Sequence, residues 1–369
     1  MKKLAIIGAS YLQLPLVQKA NEMGIETHCF AWPEGAVCKE VAHYFYPISI
    51  LDKQAILEQC SIIGIDGITT IATDMAVPTI SYVANELGLV ANSVFSSMVS
   101  TNKGAMREIF ERYNCSIPKF QKIKSTQEKI KTFQYPLIVK PADRSGSRGV
   151  SKVVDENLLN EAIEYAISES FSKEAIIEEF IDGVEVSVET ISWNGEHYIL
   201  AITDKTTTSA PHFVELAHHQ PSNLTADIQK KIKEETIKCL NVLDIKYGAS
   251  HSEFKINANG EVVVIEVGAR MGGDFIGSHL VQLSTGYDFV KGVIAIALGT
   301  FEKPVISHQN FSGVYFLSKE TECILPYFKK SNEFDVEKLI QNEDLQFLQN
   351  SNDRSGYLIY QSNQRVNLI

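Results

Sequence analysis

Two glutamates in the second half of the chain, Glu253 and Glu266, have a spacing that predicts chemistry. Asn259-Gly260 separates two runs of alternating or β-branched residues, which is a strong signal for a two-residue hairpin loop. In that register Ala258 pairs with Glu261, and Glu253 lies opposite Glu266 on the same face. Like charges in that position repel, so the two carboxylates are expected to share a proton or to bind a metal ion. Beside a phosphate they suit Mg²⁺, and the alternative is a solvated edge hairpin.

A glycine-punctuated loop could supply the phosphate site that such a metal needs. Its sequence is Ser145-Gly-Ser-Arg-Gly149, and strands are predicted on either side at 136–140 and 150–154. Small residues let backbone N–H groups approach phosphate oxygens, and the neighbouring Lys and Arg side chains supply positive charge. It is not a Walker loop, because no Gly-Lys-Ser/Thr opens a helix. The alternative is a flexible surface hairpin.

The composition is that of an ordinary globular protein of 369 residues, long enough for two or three packed domains. The formal net charge of −11 argues against a nucleic-acid partner, because no basic surplus exists to neutralise phosphates. The six cysteines are scattered, so we predict neither a zinc site nor a disulfide framework. No run approaches the length of a membrane span, and the N-terminal apolar stretch breaks at Gly8, too early for a signal peptide. We therefore expect a cytoplasmic protein with free thiols and no membrane partner.

The elements that must position these residues begin with alternating strands and helices. Strands are predicted at 4–7, 25–30 and 67–72, and helices at 14–23, 54–60 and 76–87. This alternation is typical of a doubly wound parallel sheet. A full Gly-x-Gly-x-x-Gly fingerprint is missing, which disfavours dinucleotide binding.

After about residue 95 the pattern becomes mixed. Helices are predicted at 103–113 and 158–167, and strands at 119–123, 175–181 and 184–190. Residues 203–223 are polar and are predicted to form an irregular loop, a length that is often functional. Its histidines, His212, His218 and His219, lack a clean metal spacing, so substrate contact or an ordinary loop role is expected. Strands at 312–317 and 355–360 predict a small β-rich region over 301–369, which could cover a site or form a homodimer interface.

The order of these features resembles the ATP-grasp superfamily of carboxylate–amine and carboxylate–thiol ligases. The features are Lys103, the Lys140 strand, the 145–149 loop, the segment Ile176-Ile-Glu-Glu-Phe-Ile-Asp-Gly-Val-Glu185 and the two-carboxylate hairpin, and they place the resemblance over about residues 1–300. Ala269-Arg-Met-Gly-Gly-Asp274 and the stretch from Pro211-His-Phe-Val-Glu215 to His218-His-Gln-Pro-Ser222 look most like the ligases that join amino acids into dipeptides.

The resemblance implies a fold of the α/β and α+β classes. Residues 1–95 would form a Rossmann-like α/β domain, and residues 96–300 an ATP-grasp domain with two α+β subdomains around ATP. The ATP-binding subdomain would cover about 115–180, and the β-rich C-terminal region would follow.

The resemblance also implies roles for individual residues in binding ATP. The expected phosphate contacts are Lys103, Lys140, Ser145, Gly146, Ser147 and Gly149. Glu178 would accept from the adenine amine, the backbones of Glu179 and Ile181 would read the adenine edge, and Glu185 would bind the ribose. Lys103 as a helix-surface lysine, and Glu178 or Glu179 as an exposed strand charge, are the structural alternatives.

The implied catalytic centre uses Mg²⁺, or Mn²⁺ as an alternative, on Glu253 and Glu266. Arg270 would face the transferred phosphate and, with Lys140, act catalytically. Substrate contacts are predicted for His212, Glu215 and His251. One departure is Gly268, because many family members carry Asn there as a further metal ligand.

The resemblance implies an ATP-dependent ligase that joins a small-molecule carboxylate, an amino acid or a related compound, to an amine through an acyl-phosphate intermediate, with ADP and phosphate released. Another ATP-grasp ligase or a carboxylase acting on a small metabolite or sugar precursor is the alternative within enzymes. A non-catalytic ATP-binding sensor is favoured only by Gly268.

Overall fold

The computed structural model describes residues 1–144, 148–210 and 212–369. Within these ranges sixteen strands form three sheets. None of the helices in the described ranges has both the length and the apolar character needed to cross a membrane.

The first sheet is parallel and is built from the N-terminal strands and helices. Its strands are β1 (Lys3–Ile7), β2 (Glu26–Phe30), β3 (Tyr44–Tyr46) and β4 (Gly67–Thr69), in the order β3-β2-β1-β4. The accompanying helices are α1 (Leu14–Glu22), α2 (Lys53–Ile63) and α3 (Val77–Leu87). Buried residues of all three helices share one core with β1, as expected for a parallel sheet covered by helices. The predicted α/β opening is confirmed.

The second sheet is antiparallel and begins after two helices, α4 (Val94–Thr101) and α5 (Lys103–Arg112). Its strands are β5 (Phe120–Ile123), β6 (Leu137–Pro141), β7 (Ser151–Val153) and β8 (Ala175–Glu179), in the order β5-β8-β6-β7. Helix α6 (Leu159–Glu169) packs its apolar face on this sheet, with Ile163 beside Val139 and Ile177 in one core.

The third sheet is the largest and continues across the boundary predicted at residue 300. Its strands are β9 (Val184–Trp193), β10 (Glu196–Thr207), β11 (Glu215–Gln220), β12 (Gly248–Ile256), β13 (Val262–Gly268), β14 (Phe311–Leu317), β15 (Asp335–Ile340) and β16 (Gly356–Ser362). Their order is β13-β12-β9-β10-β11-β14-β16-β15. The remaining helices are α7 (Ala226–Val242), α8 (Val281–Thr285), α9 (Phe289–Ala297) and α10 (Leu325–Phe328). The C-terminal strands therefore extend the sheet that carries the two carboxylates.

About half of the segment 203–223 is strand, so the prediction that it forms one irregular loop is wrong. It contains the end of β10 and all of β11, which pair with each other and bury the polar side chains of Thr203, His219 and Gln220. Gln220 Nε2 donates to Thr203 Oγ1 at 2.9 Å, and the His219 Nδ1 atom lies 2.9 Å from the Tyr360 hydroxyl. Partners distant in sequence satisfy these polar groups, so composition alone gave a misleading result.

The carboxylate hairpin reaches the predicted pairing through a different turn. Glu253 does lie opposite Glu266. The backbone N of Asn257, however, donates to the Glu261 carbonyl at 3.2 Å, so the pairing of Ala258 with Glu261 is wrong. The loop is one residue longer than expected, with its glycine in the left-handed region at φ 72°. A bulge beside Glu253 then shifts the register by one residue and restores the expected pair.

Candidate active site

A cleft of about 1200 Å³, measured with its open mouth, lies between the second and third sheets. Its apolar lining residues are Pro118, Ile138, Val150, Phe180, Ile181, Phe213 and Ile265. Its charged lining residues include Asp74, Lys103, Lys140, Glu178, Glu185, Lys205, Glu253, Glu266 and Arg270. Apolar walls with convergent charges suit a ligand that has both a flat apolar group and a multiply charged group.

The Glu253 and Glu266 carboxylates each pair with a lysine in this cleft. Lys205 Nζ lies 2.8 Å from Glu253 Oε1, and Lys103 Nζ donates to Glu266 Oε1. Burial disfavours the charged form of Glu253, but Lys205 and His251 outweigh it and hold the pKa of Glu253 well below its usual value. Lysine pairing thus offsets the repulsion for which a shared proton or a metal was expected.

The same two carboxylates fit a divalent cation. Their side chains are each 24% exposed, and both line the cleft. Each carboxylate already binds one cation, the ammonium group of Lys205 at Glu253 and that of Lys103 at Glu266. Carboxylate oxygens are hard ligands, which suits Mg²⁺ or Mn²⁺ together with phosphate oxygens.

Lys140 and Glu178 belong to a buried ionic cluster that also includes Arg107. Lys140 Nζ lies 2.7 Å from Glu178 Oε2, and Arg107 Nε donates to Glu178 Oε1 at 2.6 Å. Burial disfavours ionisation of Glu178, but the two cations outweigh it and lower its pKa to about 2. The surface-charge alternative for Glu178 is therefore wrong, because its side chain is 4% exposed. Arg107 was missed, although it stands four residues from Lys103 on the same face of α5.

Lys205 lies at the centre of three carboxylates and was not predicted. Its Nζ atom lies 2.7 Å from Glu185, 2.8 Å from Glu253 and 3.7 Å from Glu215. Burial opposes its charge, but these carboxylates outweigh burial and raise the pKa of Lys205 well above its usual value. The residue belongs to the stretch predicted as loop, and no motif in the sequence marks it.

Arg270 is bound by a carboxylate from the N-terminal region. Asp74 accepts from Arg270 Nε and from a terminal guanidinium nitrogen, both at 2.9 Å. A Cβ atom on Gly268 would lie 2.7 Å from Asp74 Oδ1. The Asp74–Arg270 pair therefore occupies the space beside Gly268, the position at which this chain departs from the Asn of many family members. Asp74 follows the carboxyl end of β4, and that edge of a parallel sheet is where ligand-binding residues are commonly found.

The predicted substrate residues have different environments. His251 lines the cleft, and its Nδ1 atom bonds to the buried Glu189 while its Nε2 atom lies 3.3 Å from Glu253. Burial would lower the pKa of His251, but the Glu189 carboxylate outweighs it and raises the pKa to about 9. Glu215 also lines the cleft, whereas His212 is exposed and is not among the described residues that line it.

The predicted adenine, ribose and loop residues are placed as follows. Glu179, Ile181 and Glu185 line the cleft. Gly149 is buried, and a Cβ atom on it would meet Pro141 at 2.7 Å. The other loop residues predicted to bind phosphate, Ser145, Gly146 and Ser147, lie outside the described residues.

Comparison with known protein families identifies the central part of the chain. The family model of the ATP-grasp domain matches residues 133–278. The chain contains an ATP-grasp domain. This ATP-grasp domain holds Lys140, Glu253, Glu266 and Arg270, whereas Asp74 precedes it.

Curated relatives and solved structures agree with the ATP-grasp assignment. The alanine–anticapsin ligase of Bacillus subtilis (strain 168) is 27% identical over 60% of this chain and 51% of that protein. The D-alanine–D-alanine ligase of Flavobacterium johnsoniae is 36% identical over 37% of this chain and 43% of that protein. The chain spans about half the length of the curated relatives it matches.

The fold is shared over nearly the whole chain. The L-amino acid ligase from Bacillus licheniformis superimposes with a TM-score of 0.82, at 22% identity, over 99% of this chain and 94% of that one. The ATP-grasp fold predicted from the order of motifs is thereby confirmed.

Proposed function

We propose that the protein is an ATP-dependent carboxylate–amine ligase, which forms an amide bond through an acyl phosphate. The observation that carries the proposal is the opposed pair Glu253 and Glu266, in one cleft with Lys103, Lys140 and Arg270. Amino acids or related small carboxylates are the proposed substrates. The names of the relatives, an alanine–anticapsin ligase and an L-amino acid ligase, support this substrate class.

The apolar walls of the cleft would hold the adenine ring of ATP. The backbones of Glu179 and Ile181 would bond to the adenine edge, and Glu178 would accept from its amine. Glu185, at the cleft surface beside Lys205, would bind the ribose hydroxyls. Because Glu178 also holds Lys140, the base and the phosphates would be positioned by one connected cluster.

The phosphates would lie among the lysines and the carboxylate pair. Glu253 and Glu266 would hold Mg²⁺, which would supply positive charge to neutralise the phosphates when bound. Lys103 and Lys140 would bind the remaining phosphate oxygens as point charges. To do so, Lys103 exchanges its partner Glu266 for phosphate, which leaves that carboxylate to the metal.

The reaction would proceed in two steps, phosphoryl transfer to the carboxylate and then attack by the amine. An oxygen of the substrate carboxylate attacks the γ-phosphorus, and the bond from that phosphorus to the β–γ bridging oxygen breaks, so ADP leaves. The amine nitrogen then attacks the acyl carbon, phosphate leaves, and the nitrogen gives up a proton. Arg270 would stabilise the negative charge that develops at the acyl phosphate. Positioning and charge neutralisation supply the catalysis, with no side-chain nucleophile required.

The test is ADP and phosphate release from ATP and Mg²⁺ with pairs of amino acids, and mass spectrometry of the ligated product. We expect Glu266→Gln to abolish turnover. The matched control is Glu261→Gln, which neutralises an exposed carboxylate in the turn of the same hairpin and should retain turnover. ADP release that requires bicarbonate instead of an amine would favour a carboxylase. ATP binding without ADP release for any pair would favour a sensor.

A further inference from the structure

Cys115, Glu235 and Cys239 form a cluster of two thiols and a carboxylate apart from the residues that line the cleft. Glu235 and Cys239 stand four residues apart on α7, so their side chains share one face of the helix. Cys115 follows α5, where its backbone N donates to the Phe110 carbonyl at 2.9 Å and fixes the chain. One ligand atom from each of the three residues lies within 4.8 Å of the other two.

The spacing and surroundings of this cluster suit a tetrahedral metal. Zn–S bonds of about 2.3 Å and Zn–O bonds of about 2.0–2.2 Å place ligand atoms somewhat under 4 Å apart, so small side-chain rotations suffice. Ser116 N donates to Glu235 Oε1 at 2.7 Å and orients the carboxylate, as outer hydrogen bonds commonly do at metal sites. Cys239 is fully buried, whereas the Glu235 side chain is 17% exposed and leaves a side open to water.

We propose that Cys115, Glu235 and Cys239 bind a thiophilic divalent cation such as Zn²⁺, with water as the fourth ligand. Two thiolates select a softer metal than the carboxylate pair in the cleft does. The scattered cysteine positions predicted no zinc site, because folding brings together α7 and a segment far from it in sequence.

The bound cation would cross-link the segment after α5, which contains Cys115, to helix α7. The Ser116 carbonyl in that segment accepts from Val264 N at 2.8 Å, and Val264 lies on β13, the strand that carries Glu266. Metal binding therefore stabilises a junction behind the cleft. This proposal does not depend on the ligase activity, since it concerns different residues.

The first measurement is a cobalt titration of the reduced, metal-free protein. We expect a thiolate-to-cobalt charge-transfer band that saturates at one Co²⁺ per chain and disappears on addition of Zn²⁺. Cobalt bound to Glu253 and Glu266 gives no such band, because those ligands are carboxylates. Cys115→Ser should lose the band, and Cys323→Ser, which removes an exposed thiol elsewhere, should retain it.

A second variant and a second measurement test the site in case Cys115→Ser does not fold. Glu235→Gln keeps an acceptor for Ser116 but removes a charged ligand, and should weaken cobalt affinity roughly tenfold. Zn²⁺ should raise the unfolding midpoint of the wild type and of Cys323→Ser, because binding to the folded state alone stabilises it. A wild type without the band, a band that survives in Cys115→Ser, or unchanged affinity in Glu235→Gln would overturn the site.

Discussion

Asp74 binds Arg270 through two hydrogen bonds of 2.9 Å, and this pair joins the N-terminal sheet region to the ATP-grasp domain. Burial disfavours ionisation of Asp74, but Arg270 outweighs it and lowers the pKa of Asp74. The guanidinium is therefore held at the cleft by a carboxylate from outside the ATP-grasp domain. Its position depends on how these two parts of the chain pack.

Gly268→Ala should disturb this pair and slow the proposed reaction. The new Cβ atom would lie 2.7 Å from Asp74 Oδ1, closer than such atoms approach, so the carboxylate and Arg270 must shift. We expect kcat to fall about 10- to 100-fold, because small displacements of a positioning group have effects of that size. The measurement is steady-state ADP release.

The matched control for this substitution is Gly273→Ala. A Cβ atom there meets only ordinary contact, with Ala72 Cβ at 3.6 Å. Its thermal midpoint and its kcat should stay near those of the wild type. Wild-type turnover in Gly268→Ala would show that the position of Asp74 does not matter to the reaction.

Lys205→Met should destabilise the protein and make its stability depend on Mg²⁺. Removing the ammonium leaves the carboxylates of Glu185, Glu215 and Glu253 without their shared cation, at a cost of about 3 kcal/mol in the free energy of unfolding. Added Mg²⁺ should recover part of this loss, and a chelator should remove the recovery. Urea denaturation with and without Mg²⁺ measures both.

The control for Lys205→Met is Lys255→Met. Lys255 pairs with only one of the three carboxylates, Glu185, at 3.1 Å, and its side chain is more exposed than that of Lys205. We expect a smaller loss and little recovery with Mg²⁺. Equal behaviour of the two variants would contradict a special role for Lys205.

Glu178→Gln should lower the free energy of unfolding by about 2–4 kcal/mol at pH 7, since it leaves Arg107 and Lys140 buried without their counter-charge. The neighbouring Glu179→Gln removes a 3.3 Å ion pair with Lys119, whose side chain is 72% exposed, and keeps an oxygen that can accept from Gln134 N. It should change the free energy of unfolding by less than about 0.5 kcal/mol. Urea denaturation of the two variants provides the comparison.

The difference in the free energy of unfolding between the wild type and Glu178→Gln should become smaller as the pH falls. The pKa of Glu178 is about 2 in the folded protein, against 4.5 as its ordinary value. The folded state therefore gains stability from this carboxylate above pH 4.5 and loses that gain as the pH falls toward 2. A difference that stays constant between pH 7 and pH 3 would contradict the depressed pKa.

His219 should make the protein less stable in mild acid. Burial, with smaller effects of Arg365 and His218, lowers the pKa of His219 to about 3, and the ring packs against Tyr315 and Tyr360. The ordinary pKa is near 6.5, so below that pH the unfolded chain takes up a proton that the folded protein does not. Between pH 8 and pH 5 this group should remove about 2 kcal/mol from the free energy of unfolding.

His219→Gln should reduce this loss, because glutamine does not titrate and can still bond to the Tyr360 hydroxyl. The control is the exposed His212→Gln, which should keep the pH dependence of the wild type. Parallel pH curves for the wild type and His219→Gln would show that His219 does not titrate as described.

Local sequence patterns predicted the helices and strands whose buried faces are apolar. Strands β1, β2 and β4 and helices α1 to α3 were predicted within a few residues, because each carries its own apolar periodicity, whereas the short strand β3 was missed. Strands β10 and β11 were missed because their polar residues are buried against partners such as Tyr360. Hydrophobic periodicity detects a buried apolar face, but these two strands bury polar side chains that are hydrogen-bonded to distant residues.

The candidate site shows the same division. Glu253 opposite Glu266 was predicted correctly, although the turn was wrong, because a bulge compensated for the longer loop. Arg107 and Asp74 had weak signals in helix spacing and strand position, whereas Lys205 had none.

The sequence by itself determined the α/β opening, the order of the ATP-grasp motifs and the face shared by the two carboxylates, because each depends on residues close together in the chain. Only the tertiary structure decided which charges meet in the cleft. Lys103 and Glu266 are 163 residues apart, and Asp74 and Arg270 are 196 residues apart. Such pairs depend on how separate sheets and helices pack, and local periodicity does not encode that packing.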